Sequence, residues 1–340
     1  MVSELPIFER PSSERAPEGL ADLTAHLYAQ YGQSKEMGES ASDSNLPHFF
    51  LLRKFLGEND LLTILNTKRC RYRCHFCNLP DKSSATPVEA DSIKAQFRFV
   101  IKENKHSLSI LDRVTLSNEG SVLDATTLPR EALLDIVAAV GRLKRVKTLV
   151  LESRLEFVDA DEIRQIALLA PRAGVDILTG FETVSPELRD NVLKKREPLE
   201  LFLSGLDQVG EAGAHLTAYV LFKPSPEMSD SDAISEANES IAYLTAECAR
   251  RRIPLTVRLN PMYLSEGTAW KKRALECAQY QPPRLTDALR VARSWSERGV
   301  KVYLGLSAEG LSEPRGTYQA REDFSRALLK EAILFNACKV

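Results

Sequence analysis

From Leu61 onward, short β-rich runs alternate with stretches of helical periodicity, and this alternation constrains the fold more than any other feature of the chain. The runs are "LLTILNT", "RVTLSN", "VKTLVLES", "VDILTGFE", "HLTAYVLFKP", "PLTVRLNP" and "VKVYLGLS". Between them, residues 91–105, 129–143, 160–170, 186–212, 231–251 and 284–298 carry apolar side chains at helical spacing. Strands separated by helices pair in parallel through right-handed crossovers. Six or seven such units predict an α/β fold, a partial or near-complete parallel (β/α) barrel rather than an open doubly wound sheet. Upstream, the first twenty residues read as loose surface chain, Leu20–Tyr31 as a short amphipathic helix, and "GQSKEMGESASDSN" as a flexible loop.

A parallel barrel carries its chemistry where the strands end. The predicted strand ends are polar: Asn66–Thr67, Ser117–Asn118–Glu119, Glu152–Ser153–Arg154, Glu182–Thr183 and Lys223. Any one of these would serve as a loop cap; five together predict a ligand-lined mouth. Lys223 is the only lysine expected to end a barrel strand, and Pro224 turns the chain out of the sheet behind it. It is the candidate catalytic residue, binding an anionic group or donating a proton, with a salt bridge to Glu182 as the alternative. His215 falls at a strand start, the wrong end for the active face, and reads as structural.

The formal net charge of −2 sets up no global positive field for a nucleic acid. No apolar run reaches membrane-spanning length and the N-terminus has no apolar signal core, so a cytoplasmic protein without a membrane partner is expected. Three of the six cysteines crowd into "RCRYRCHFC", as Cys70-x3-Cys74-x2-Cys77, directly after the first of these strands. In a reducing compartment such a trio reads as metal ligands or redox groups rather than disulfides. Three thiolates serve a zinc ion completed by His75 or a remote ligand. They also serve a four-iron cluster with one iron left open. Cys248, Cys277 and Cys338 stand apart and supply no second cluster by any local motif: Cys248 reads as helix core, Cys277 as a loop residue, and Cys338 as an ordinary tail residue, hydrogen-atom donation being the alternative.

The cysteine spacing, with Phe76 before the last ligand, resembles the signature of the radical SAM superfamily. "SNEGSVLD", "LESRLEFV", "GFETVSPELRDNVLKK", "YVLFKPS", "LNPMYLSEGTAW" and "YQPPRL" follow in the order seen in one branch of it. That branch holds the radical SAM subunit of archaeosine synthase and, more distantly, the Elongator catalytic subunit; the resemblance spans about residues 60–310. It implies a radical SAM barrel over 59–310, an N-terminal extension, partly flexible, over 1–58, and a C-terminal helical segment over 311–340. It implies a 4Fe-4S cluster on Cys70, Cys74 and Cys77, with S-adenosyl-L-methionine on the open iron. Asn118, Glu119 and Gly120 occupy the place of the family's Gly/Glu motif for the methionine amino group. Glu152 and Arg154 correspond to contacts with the ribose and the methionine carboxylate, an ion pair being the alternative, and Glu182 points to the same mouth. Arg258, Asn260 and Tyr263 end the sixth of these strands.

The reaction implied is reductive cleavage of S-adenosylmethionine followed by lyase-type C–N bond cleavage; rearrangement, epimerisation and dehydration share the same cluster. An electron donor of flavodoxin or ferredoxin type is implied with it. The near-neutral charge favours a small-molecule or modified-nucleoside substrate over tRNA, unless a partner protein binds the tRNA.

Overall fold

The computed structural model describes residues 34–36, 43–79, 83–118, 120–306 and 326–337. The expected helix at Leu20–Tyr31, Glu119 and Cys338 lie outside the described residues. Among the described residues, nine strands form one sheet in strict chain order. β1 (Ser34–Glu36), β2 (Phe49–Phe55) and β3 (Glu58–Ile64) are antiparallel neighbours. From β3 the sheet runs parallel through β4 (Arg113–Ser117), β5 (Thr148–Glu152), β6 (Gly174–Glu182), β7 (His215–Phe222), β8 (Leu255–Pro261) and β9 (Lys301–Leu304). The crossovers carry α1 (Ala90–Glu103), α2 (Arg130–Gly141), α3 (Ala160–Leu169), α4 (Leu199–Glu211), α5 (Asp230–Arg251), α6 (Ala269–Glu276) and α7 (Leu285–Glu297). A last helix, α8 (Arg326–Ala337), packs on the edge strand: the Asn336 amide accepts from the Leu304 N–H at 2.8 Å and donates to its carbonyl at 2.7 Å. This is the partial parallel barrel that the alternation predicts.

The sheet reaches back beyond the expected boundary at residue 59. β2 turns into β3 through Leu56 and Gly57, both left-handed (φ 47° and 79°), the two-residue loop whose twist suits a hairpin. Within "GQSKEMGESASDSN", expected as a flexible loop, Ser34–Glu36 is a strand paired to β2.

Side chains such as Val114 and Leu116 of β4 enter one large apolar core with Ile93 and Phe97 of α1 and Ile136 of α2. That burial explains why the strands read as nearly unbroken apolar runs. The opposite face holds polar cross-strand links. Thr115 donates to Asp60 at 2.8 Å, Thr217 to Asp176 at 2.8 Å, and Arg113 to Asp176 at 2.9 Å. At the strand-start end, Phe55 stacks on Tyr303 with ring centroids 4.5 Å apart, and the Arg113 and Arg258 guanidinium carbons lie 4.6 and 5.5 Å from its ring. No helix among the described residues is long and apolar enough to cross a membrane.

The helix expected over 186–212 is broken. A short π-helical turn at Leu188–Val192 gives way to a bent segment, and α4 begins only after Pro198. Lys194 and Arg196 take left-handed backbone angles (φ 49° and 54°), which unwinds the helix and turns Lys195 and Glu197 inward.

Candidate active site

A cavity of about 250 Å³ opens at the carboxyl ends of the parallel strands, where a β/α barrel presents its loops. Cys70, Cys74 and Cys77 all line it, as do Gly120, Glu152, Arg154 and Glu182. The cysteine loop is held from outside by main-chain bonds. The His75 N–H donates to the Leu193 carbonyl at 2.8 Å, and the Trp270 N–H at the start of α6 donates to the His75 carbonyl at 2.9 Å. Trp270 itself is buried beside Leu193, Leu221 and Met262, with Phe76 packed against that cluster.

The donor set fits an iron–sulfur cluster better than a single ion. Three thiols line one cavity, and no other described cysteine joins them. A Cβ placed on Gly120 would stand 3.3 Å from Cys70 Cβ, a tight contact that a larger residue would meet only by shifting the cysteine loop. Burial pushes the Cys70 and Cys74 thiols up, opposed by the nearby Arg154 and Lys195 charges. Among the described residues, no three His, Cys, Asp or Glu side chains are arranged to hold one metal ion, and His75 is not part of the lining.

Behind the cysteines lies a buried network of charges. Lys195 Nζ sits 3.3 Å from Glu197 Oε2 and 3.7 Å from Glu182 Oε1, and Arg189 Nη2 lies 3.2 Å from Glu197 Oε2. Glu182 reaches this pair because its own backbone is left-handed (φ 70°), and because Gly180 has no side chain: a Cβ there would fall 2.0 Å from Glu182 Oε1. Burial pushes the Glu182 carboxyl up, and Lys195 and Arg189 oppose the rise. Arg154 is a strut. Its Nη1 donates to the Lys195 carbonyl at 3.1 Å, its Nη2 to the Arg196 carbonyl at 3.0 Å and to Glu156 at 3.2 Å, and it lies 3.8 Å over the Tyr72 ring. Tyr72, between two cysteines, in turn donates to Glu156.

Other strand-end polar residues turn elsewhere. The Asn118 amide donates to Thr127 at 3.2 Å inside the following loop, so Asn118 is buried behind the wall and Gly120 alone of its described motif lines the cavity. Gln96 of α1 bonds the Asn66 main chain on both sides at 2.8 Å. Lys223 requires correction. Its left-handed backbone (φ 64°) swings the side chain away from the cavity, and Nζ donates to Asp230 at the start of α5 at 2.8 Å. Lys223 is not among the residues lining the cavity, and Glu182 is paired with Lys195 instead. His215 stands at the opposite end of its strand, 3.1 Å from Asp176, as expected. Cys248 is helix core, its thiol pushed up to about 12 by burial. Cys277 closes α6 at the edge of a loop.

Arg258, Asn260 and Tyr263 join the lining from β8 and the loop after it. Sequence reasoning missed Lys195 and Glu197. "LKKRE" looks like a solvated helix end, and the signal available was Pro198, which stops the helix short of the next apolar face.

Placed against solved structures, the chain has the fold of a radical SAM methyltransferase from Sphaerobacter thermophilus, with a TM-score of 0.54 at 15% identity over 78% of this chain and 72% of the other. The shared fold is a partial β/α barrel, and in this chain the cysteine loop follows the first parallel strand. In sequence the chain resembles archaeosine synthase subunit beta of Thermococcus kodakarensis, 27% identical over 289 residues, which cover 82% of this chain and 84% of that one. It also resembles an uncharacterized protein of Methanocaldococcus jannaschii, 25% identical over 292 residues, covering 83% and 77% of the two chains. No family model matches the chain.

Proposed function

We propose that this chain is a radical SAM enzyme performing a lyase-type C–N bond cleavage on a small-molecule or modified-nucleoside substrate, with Cys70, Cys74 and Cys77 holding a 4Fe-4S cluster. When bound, the cluster supplies the electron that cleaves S-adenosylmethionine to a 5′-deoxyadenosyl radical, which takes hydrogen from the substrate. The observation that carries this reading is the convergence of the three cysteines on one cavity whose wall also presents Gly120, Glu152, Glu182 and Lys195.

The chain's own residues divide the work. Lys195 faces the cavity as an ammonium suited to the methionine carboxylate, a charge-assisted contact, while Arg154 braces the cysteine loop. The turn around Gly120 admits the methionine amino group close to Cys70, and Glu152 is placed to accept from ribose hydroxyls. Arg258 and Tyr219, joined at 3.2 Å, form the substrate end together with Asn260 and Tyr263. Leu221, Met262 and Leu306 give that end its apolar wall, which excludes water from a reactive radical. A relative is named as a subunit of archaeosine synthase. By that likeness the substrate is a base-linked amine, and a partner subunit presents it where the base lies in tRNA. An electron donor of flavodoxin or ferredoxin type docks near the cysteine loop.

Anaerobic turnover of the reconstituted protein with S-adenosylmethionine and a reductant tests the class, followed by mass spectrometry. Formation of 5′-deoxyadenosine that disappears in Cys74→Ala is expected. Intact S-adenosylmethionine in the presence of a full cluster would overturn the reading.

A further inference from the structure

The segment from Leu193 to Glu197 does two things at once. Its carbonyls hold the cysteine loop: Leu193 accepts from the His75 N–H, Lys195 and Arg196 accept from Arg154, and the Cys74 sulfur lies 3.9 Å from the Lys195 carbonyl. Its side chains supply the cavity's ammonium, Lys195, and the carboxylate behind it, Glu197. Glu197 is 0% exposed and does not line the cavity, yet three cations surround it. Arg189, fixed between Phe181 and Phe202 at 5.3 and 5.9 Å, grips Glu197 through both its carboxylate and its carbonyl, the latter at 2.8 Å. Lys195 lies 3.3 Å from the same carboxylate and Arg154 lies 3.9 Å from its second oxygen, which has no hydrogen-bond partner among the described residues.

We infer that Glu197 is a positioning residue: anchored by Arg189, it fixes the Lys195 ammonium at the cavity wall and thereby ties the cavity's cation to the cysteine loop. The role assigned to Lys195 toward S-adenosylmethionine rests on the function proposed above; the anchoring does not. A buried carboxylate costs too much to desolvate unless its cations stay close. A lysine in the left-handed bend has no helical neighbours to hold its long chain, so without Glu197 it would be set only by Glu182 at 3.7 Å.

The test is a pulse of acetic anhydride on the full chain, reading each lysine by mass spectrometry. In Glu197→Gln, which keeps shape and removes charge, Lys195 should acetylate at least roughly tenfold faster than in the parent, the scale of one lost charge-assisted contact. Lys223, buried and paired with Asp230, should keep its parent rate and so reports that the fold is intact. Unchanged Lys195 labelling, or a joint rise of Lys195 and Lys223, would overturn the inference. Should Glu197→Gln fail to fold, the charge-balanced Lys195→Met/Glu197→Gln pair replaces it. Its S-adenosylmethionine affinity should equal that of Lys195→Met alone, because Glu197 acts through Lys195, whereas a further independent loss would contradict that. A parent that folds but has no affinity for S-adenosylmethionine would sink the functional reading, and the labelling result would still decide the role of Glu197.

Discussion

Charged residues near the cavity are sorted by backbone sign. Lys223, Lys194, Arg196 and Glu182 all have positive φ, and each such residue sends its side chain where a regular strand or helix would not. The cysteine trio was legible because its spacing is local. Lys195, and not Lys223, lines the cavity, and sequence does not mark a left-handed bend in residues other than glycine. Lys223→Met tests the corrected assignment. With Lys223 nearly buried and Asp230 partly exposed, loss of the pair should cost roughly 1–3 kcal/mol of stability. S-adenosylmethionine affinity should match the parent. Thermal unfolding and titration calorimetry check both, and a fall in affinity without destabilisation would return Lys223 to the cavity.

At the scale of elements, all seven parallel strands were legible from their apolar runs. β2 was not: "FFLLRKFLGENDLLTI" is apolar on both sides of Leu56–Gly57, and the two-residue hairpin loop was its only mark. The strands are stitched at their starts by Asp176, which joins β6 to Arg113 of β4 and to Thr217 and His215 of β7. Burial alone would raise this carboxyl, but Arg113, His215 and Thr217 outweigh it and hold Asp176 at about 2, against an ordinary 3.8. A depressed folded value means stability that is whole above the ordinary range and is lost as pH falls toward about 2. Acid unfolding should therefore steepen across that window. Asp176→Asn should be less stable at neutral pH and flatter in its acid limb, as read by chemical denaturation at a series of pH values. An unchanged acid limb would show that the stitching lies elsewhere.

Taken whole, the molecule is a sheet closed on one face by helices and presenting its chemistry at one end. Its second apolar cluster, around Trp270, braces the loop that carries the cysteines. Much of the architecture followed from periodicity. The charge network behind the cavity did not, because it depends on the break in the helix that turns Lys195 and Glu197 inward toward Glu182, Arg189 and, from the preceding strand's end, Arg154. The reading proposed for this end is a cluster with one iron left for S-adenosylmethionine, and metal stoichiometry tests it most directly. Anaerobically reconstituted protein should hold about four irons and four sulfides per chain, ligated by three cysteines, with nearly all iron lost on Cys70→Ala, Cys74→Ala or Cys77→Ala. One zinc per chain, or four irons retained without the three cysteines, would contradict the account.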